Sequence, residues 1–374
     1  MRNKTLITFS ILISIILTIS CNNNSILIDK RATAETVALY KNLKKLSETN
    51  VLFGHQHATE YGHGWIGNDD RSDVKSVTGS HPAVIGIDLG HFTGREKNLV
   101  EKEKKRVRKV VQETYKRGGV ITISWHFNNP VSNDGFYWNE KKSANAVKDI
   151  IPNGEYHEHY KEILSEIGEW ANSCVDENGV KIPMIFRPYH EFDGDWFWWG
   201  KSHTKKEDFI ALWRFTVEYL RDSLDVHNFI YAFSPDNRFD NEEEFLDRYP
   251  GNEWVDMVGT DNYGDLGRDG YKLDLAINKL RIITKFAEQN NKIAAFTETG
   301  LESIPDTTWW TDVLLKILKD KDVKMSYVLV WRNDSRSKTH YYAPFPGQVS
   351  EKNFIEFYNS DLMLFENDLN NIYK

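Results

Sequence analysis

From residue 51 onward the chain repeats one unit: a short, nearly unbroken apolar run, a polar loop, then a stretch with apolar residues at helical spacing. The apolar runs lie at 51–54, 83–88, 119–125, 183–188, 229–234, 255–261, 292–297 and 325–331. Runs that do not alternate with polar residues are those of parallel strands buried on both faces. Helical periodicity follows at 72–78, 98–117, 156–174, 205–226, 241–249, 273–290, 307–319 and 351–370. Strand and helix in regular alternation predict an α/β fold, a (β/α)8 barrel of the TIM type. An open, doubly wound sheet is the alternative, but no GxGxxG loop follows the first strand. Ahead of the barrel, Val37, Leu39, Tyr40, Leu43 and Leu46 predict a lid helix over 34–48. No repeat, linker or low-complexity segment interrupts 34–374, which reads as a single domain.

The first residues follow a different pattern. Arg2 and Lys4 precede an apolar run over 6–19, and Ser20 and Cys21 come next. That run is short for a membrane span and has its positive charges in front, as in a secretory signal. A cysteine directly behind it resembles the lipobox of bacterial lipoproteins, although Thr18 stands three places before Cys21 and leucine one place earlier. The expectation is a signal peptide over 1–21 with Cys21 as lipidation site, a tether over 22–33 and the barrel over 34–374. This places the protein as an exported lipoprotein, periplasm-facing or on the outer membrane, with a cleaved, secreted form as the alternative. Removing Cys21 to a lipid anchor leaves Cys174 alone, so no intrachain disulfide is expected.

Charge narrows the partners. A formal net charge of −8 without a dense basic stripe excludes nucleic acid. The mixed-sign run over 101–109 reads as a solvated helix face. A monomer is expected, touching a membrane only through its lipid.

Candidate chemistry gathers where the predicted strands end, which is where barrels of this kind place it. The strand exits carry His55 and His57, Asp88, His126, His190 and Glu191, Asp236, Asp261 with Tyr263, Glu298, and Trp331 with Arg332. One stretch, IFRPYHEFDGDWFWWG over 185–200, sets a carboxylic acid beside a histidine and follows it with four aromatic rings. Large rings anchor loops in a core, but their faces also stack on sugars. Glu191 after strand 4 and Glu298 after strand 7 would face each other across a narrow barrel mouth. Retaining glycosidases need two such carboxyl groups about 5–5.5 Å apart. Either glutamate alone could instead belong to a structural ion pair, for example Glu191 with Arg187.

The run RPYHEFDGDWFWWG, the TETG after strand 7 and the WRN after strand 8 resemble glycoside hydrolase family 26, retaining enzymes of clan A dominated by β-mannanases. The GHQ opening, SWHFNNP and GTDNYG extend the resemblance over the whole chain behind the signal segment. It implies that Glu191 is the acid/base and Glu298 the nucleophile. It implies further that His190 precedes the acid/base, that Tyr263 bonds the nucleophile, and that Trp331 floors the −1 subsite with Arg332 beside it. His126 and Trp196 match substrate-binding positions next to the cleaved bond. Phe192 and Asp193 depart from the family pattern.

The implied substrate is mannan, galactomannan or glucomannan, cleaved at β-1,4 linkages. A β-1,3-1,4-glucanase or β-1,3-xylanase of the same family, or a non-catalytic sugar-binding lipoprotein, are the alternatives. His55, His57 and His63 include an HxH pair, yet no carboxylate or cysteine completes a ligand set, so neither metal nor cofactor is expected. Trp309 and Trp310 either line a distal subsite or pack a helix on the barrel.

Overall fold

A computed structural model describes residues 26–374. The expected signal segment and Cys21 lie outside the described residues.

Eight parallel strands close on themselves: β1 Val51–Gln56, β2 Val84–Asp88, β3 Val120–Ser124, β4 Met184–Arg187, β5 Phe229–Phe233, β6 Met257–Asp261, β7 Ile293–Thr299 and β8 Tyr327–Val330. Closure comes from β8 pairing with β1, Tyr327 opposite Leu52. A further short strand, β9 (Met363–Leu364), runs parallel to β1 at its start. The (β/α)8 reading therefore holds. Strand residues alternate between two apolar layers. Met184, Phe186, Val258, Ala294 and Phe296 face the surrounding helices. Ile185, Ile230, Ala232, Met257, Ile293, Ala295 and Leu329 fill the barrel interior. Burial on both sides is why these runs lack polar alternation.

Helices occupy the expected intervals, with two shortened. Residues 241–249 form a single turn, Glu242–Phe245, capped by Asn241. The last helix stops at Tyr358 instead of reaching 370, because the chain turns back to pair β9 with β1.

The helix expected as a lid, α1 (Ala34–Leu46), sits at the opposite end. Leu39, Tyr40 and Leu43 are fully buried against the interior layer, and Tyr40 Oη donates to Asn291 O (2.9 Å) just before β7. It closes the bottom of the barrel, where the strands start. Residues 26–33, assigned to the tether from sequence, belong to the same plug. Leu27 is buried, and the Ile28 N–H donates to the buried Asp256 Oδ1 (2.8 Å). An apolar side chain and a backbone donor to satisfy hold this segment down.

Trp309 and Trp310 pack and do not line a subsite. Both are fully buried, with their indole N–H groups donating to Leu266 O (2.8 Å) and Ser350 Oγ (3.0 Å). The helix Lys97–Arg117 is less uniformly solvated than its mixed charges suggested: Lys104 is buried, and Arg106 pairs with the buried Glu60.

Replacing Leu43 by Ala removes side-chain atoms from a sealed layer and should lower unfolding stability by about 2–5 kcal/mol. Chemical denaturation measures the loss. Because α1 lies at the far end, the end where the strands finish should keep whatever binding it carries, and a parallel loss of both would contradict this placement.

Candidate active site

The mouth of the barrel collects the strand-end residues, but β7 needs a local irregularity to contribute. Ile293 and Ala295 point inward while Ala294 and Phe296 point outward. Simple alternation would turn Thr297 inward and Glu298 outward. The pairing of β7 shifts register between Phe296 and Glu298 on the β6 side, and between Phe296 and Thr299 on the β8 side. Such a bulge re-aims a side chain. Thr297 then bonds Ser234 and Asp261 within the barrel, and Glu298 also reaches the mouth. Gly259 on β6 makes room, since a Cβ there would come within 2.5 Å of Thr297 Cγ2.

Glu298 is buried and held at both oxygens. Tyr263 Oη donates to Oε1 (2.7 Å) and Arg187 Nη2 to Oε2 (2.5 Å). The second arm of the same guanidinium donates to Asp261 Oδ2 (2.6 Å), whose Oδ1 accepts from Thr297 (2.7 Å) and Ser234 (2.9 Å). Burial opposes the charge on Arg187, but Asp261 and Glu298 outweigh it and hold the guanidinium protonated. Burial pushes Asp261 up to about 8 even with Arg187 beside it. Burial and the Glu298 charge keep the Tyr263 phenol well above its ordinary range, so it stays a donor. Arg187 does not pair with Glu191, the ion pair considered from sequence.

Glu191 follows β4 in a left-handed conformation (φ 54°), as does Tyr189 (φ 49°). Its Oε2 accepts from Trp196 Nε1 (2.7 Å). Burial raises its pKa well above the usual carboxylate range; the charges of Asp261, Asp236 and Glu298 add to this, and the Trp196 N–H offsets it in part. His190 is buried, and burial, Arg187 and His126 push it low, which leaves a neutral imidazole. The remaining rings of the run are packing. Trp198 Nε1 donates to Phe127 O (2.6 Å), Trp199 Nε1 to His190 O (2.9 Å), and Phe197 stacks on Trp199.

His126 is set by a polar chain that rises through the barrel. Gln56 Nε2 donates to Ser124 Oγ (3.2 Å), and Ser124 donates to Asp88 Oδ2 (2.7 Å). The same oxygen lies 2.7 Å from His126 Nδ1, and Oδ1 takes the Gly90 N–H (2.6 Å). Burial works against the charge of Asp88, yet His126, Ser124 and Gly90 prevail and hold it below the usual range. Fixing Nδ1 this way leaves Nε2 for whatever enters the mouth. Trp331 lies 5.6 Å from the His126 ring, centroid to centroid, and Arg332 Nη1 donates to Asp334 Oδ2 (2.8 Å). A cavity of about 660 Å³ opens here, lined by Tyr61, His91, His126, Tyr137, Trp331 and Arg332 among others.

The three histidines weighed as ligands part company. His55 is fully buried, His57 (φ 55°) pairs with Glu60, and His63 stacks on Phe345 at 3.8 Å. Among the described residues His190, Asp261 and Glu298 present ligand atoms within 4.8 Å of one another. The Arg187 guanidinium already bonds both of those carboxylates, so a dication would have to displace it. The donor set fits the arginine better than a metal. All eight residues singled out from sequence for this site lie at the mouth. Reasoning from sequence assigned no role to Asp88, Asp236 or Asp261, although each was visible as an acid at a strand exit.

A family model described as glycosyl hydrolase family 26 matches residues 28–313. The structure is similar to GH26C from a Muricauda species, with TM-score 0.88 and 38% identity, covering 94% of this chain and 96% of that one. It is also similar to a GH26 β-mannanase from Bacteroides ovatus, with TM-score 0.84 and 40% identity, covering 91% and 98% of the two chains. A mannan endo-1,4-β-mannosidase of Bifidobacterium adolescentis is 31% identical over 362 residues, 91% of this chain, while the match spans only 35% of that relative's length.

Asp236 is buried and its charge raises Glu191; its backbone N–H donates to Asp193 Oδ1 (2.6 Å), and burial and Asp193 raise it to about 7. Above about pH 7, where Asp236 is ionised, Asp236→Asn removes a negative charge that acts on Glu191, so the Glu191 titration should move to lower pH. Carboxyl 13C NMR, assigned with Glu191→Gln, reads the midpoint; an upward shift would show that this electrostatic account is wrong.

Proposed function

The chain belongs to glycosyl hydrolase family 26, and from that premise we propose that it is a retaining β-mannanase, cleaving β-1,4-mannosidic bonds of mannan, galactomannan or glucomannan. The observation that carries the reading is the contrast between two glutamates at one barrel mouth. Glu298 takes donors at both oxygens, whereas Glu191 is raised by burial and three neighbouring carboxyls. One carboxyl raised by burial and the other held by donors at both oxygens divide acid from nucleophile.

In the first step a Glu298 oxygen bonds the anomeric carbon as the glycosidic C–O bond breaks, and Glu191 gives its proton to the departing oxygen. A glycosyl ester on Glu298 and a free leaving sugar result. Esterification removes the Glu298 charge, which lowers the pKa of Glu191 and suits it as a base. In the second step Glu191 takes a proton from water, the water oxygen bonds the anomeric carbon, and Glu298 leaves as carboxylate. Two inversions return the original configuration. The indole of Trp196 bonds the acid, so the leaving group lies on its side, and Trp331, His126 and Arg332 face the sugar that is transferred.

Glu298→Ala should lower mannan hydrolysis by roughly 10⁴-fold or more, and Glu191→Ala by about 10²–10⁴-fold. Proton NMR of the first product should show the β anomer. Release of the α anomer, or undiminished turnover by Glu298→Ala, contradicts the mechanism. Rates on mannan, galactomannan and mixed-linkage glucan, measured side by side, identify the backbone.

The apolar run over 6–19 and Cys21 behind it support export and lipid anchoring of this activity. Labelled fatty acid should enter the wild-type protein and not Cys21→Ser, and equal labelling of both would remove Cys21 as the site.

A further inference from the structure

We propose that Tyr137 is a stacking platform for a hexopyranose ring on the glycone side of the cleft, opposite Trp331 and Arg332. This rests on the mannanase reading above. Scattered exposed rings are ordinary on protein surfaces, but Tyr137 differs from them in two respects. It is 62% exposed and lines the cavity that begins at Trp331. It is also braced, which a merely solvated ring has no need to be.

The brace is a loop between β3 and the next helix. Tyr137 forms an antiparallel bridge with Phe197, Trp138 N–H donates to Trp196 O (2.7 Å), and Trp138 stacks on His203 at 3.6 Å and 3°. Asn129 ties the base of the loop by accepting the Val131 N–H (2.9 Å) and donating its own N–H to Gly135 O (2.8 Å). Beneath Tyr137, Phe197 lies nearly parallel (5.9 Å, 24°). One face is therefore backed by the core and the other is open. The phenol oxygen has no partner among the described residues, so the ring is not held there by a hydrogen bond. A rigid ring with one free face binds the C–H face of a neutral sugar at little entropic cost.

Direction along the cleft follows from the chemistry. Trp196 and Glu191 mark the leaving-group side, and the cavity containing Tyr137 leads the other way, past His126 to Tyr61, His91 and Arg95. The ligand is thus a sugar unit on the non-reducing side of the cleaved bond, stacked on Tyr137 with imidazole and guanidinium donors around its hydroxyls.

Binding of mannopentaose to Glu298→Ala, by calorimetry, tests this apart from turnover. Adding Tyr137→Ala should weaken the dissociation constant about 3- to 10-fold, while Tyr137→Phe, which keeps the face, should bind as the parent does. In the otherwise wild-type enzyme Tyr137→Ala should raise KM more than it lowers kcat. If Glu298→Ala binds no mannopentaose, the mannan reading fails and this platform with it. If it binds and Tyr137→Ala leaves both Kd and KM unchanged, the platform alone is refuted.

Discussion

One guanidinium governs the chemistry of this barrel. Arg187 is buried at the end of β4, with one arm on Asp261 and the other on Glu298. Two carboxyl groups this close inside an apolar shell repel each other and resist ionising. The arginine relieves that repulsion and fixes the geometry of both acids through a planar fork that lysine lacks. Removing one partner of such a buried set leaves an unpaired charge, at a cost of about 3–5 kcal/mol. Glu191 has no cation of its own and is raised well above the usual carboxylate range, while Asp261 stays raised by burial even beside the arginine. The asymmetry between the two glutamates is one of cation access.

The backbone has to deliver both glutamates to that fork, and it does so by two departures from regular structure. On β7 the bulge turns Glu298 inward beside Thr297, and Gly259 across the sheet leaves the space. After β4, Tyr189 and Glu191 adopt left-handed conformations that cost roughly 1–3 kcal/mol each in non-glycine residues. Neither departure improves the barrel as a barrel. Each persists because many surrounding contacts determine it, and each carries a residue whose position the chemistry depends on.

Those departures also mark the limit of what the sequence reveals. Strands and helices were legible because unbroken Val, Ile and Phe runs and helical spacing follow directly from burial on two faces or one. The mouth residues were legible because strands end there and because motifs such as TETG and WRN carry a family likeness. No local pattern announced the bulge at 296–299, and alternation alone would have pointed Glu298 at the helices. Arg187 looked like a partner for Glu191 because the two are close in sequence; its real partners lie on β6 and β7, brought near only by closure of the barrel. The helix at 34–46 was visible as a helix, but periodicity does not say which end of a barrel a preceding helix covers. Leu27 and the Ile28 N–H were read as tether because a short segment has no period to read.

The aromatic run 196–199 unites the two readings that sequence left open, a buried anchor or half of a catalytic site. Phe197, Trp198 and Trp199 are almost fully enclosed, and two of them use their indole N–H to grip the backbone at Phe127 and His190. The His190 carbonyl lies within the strained segment, and the Phe127 carbonyl directly follows His126. The anchor therefore stands where the strain is, and the neighbouring Trp196 can spend its own N–H on the Glu191 carboxyl. A hydrogen bond to the ionised form of Glu191 lowers its pKa, against the burial and the three acids that raise it. The opposed influences suit a group that must first give a proton and then take one. Packing that looked merely structural is what keeps those influences in register with the barrel mouth.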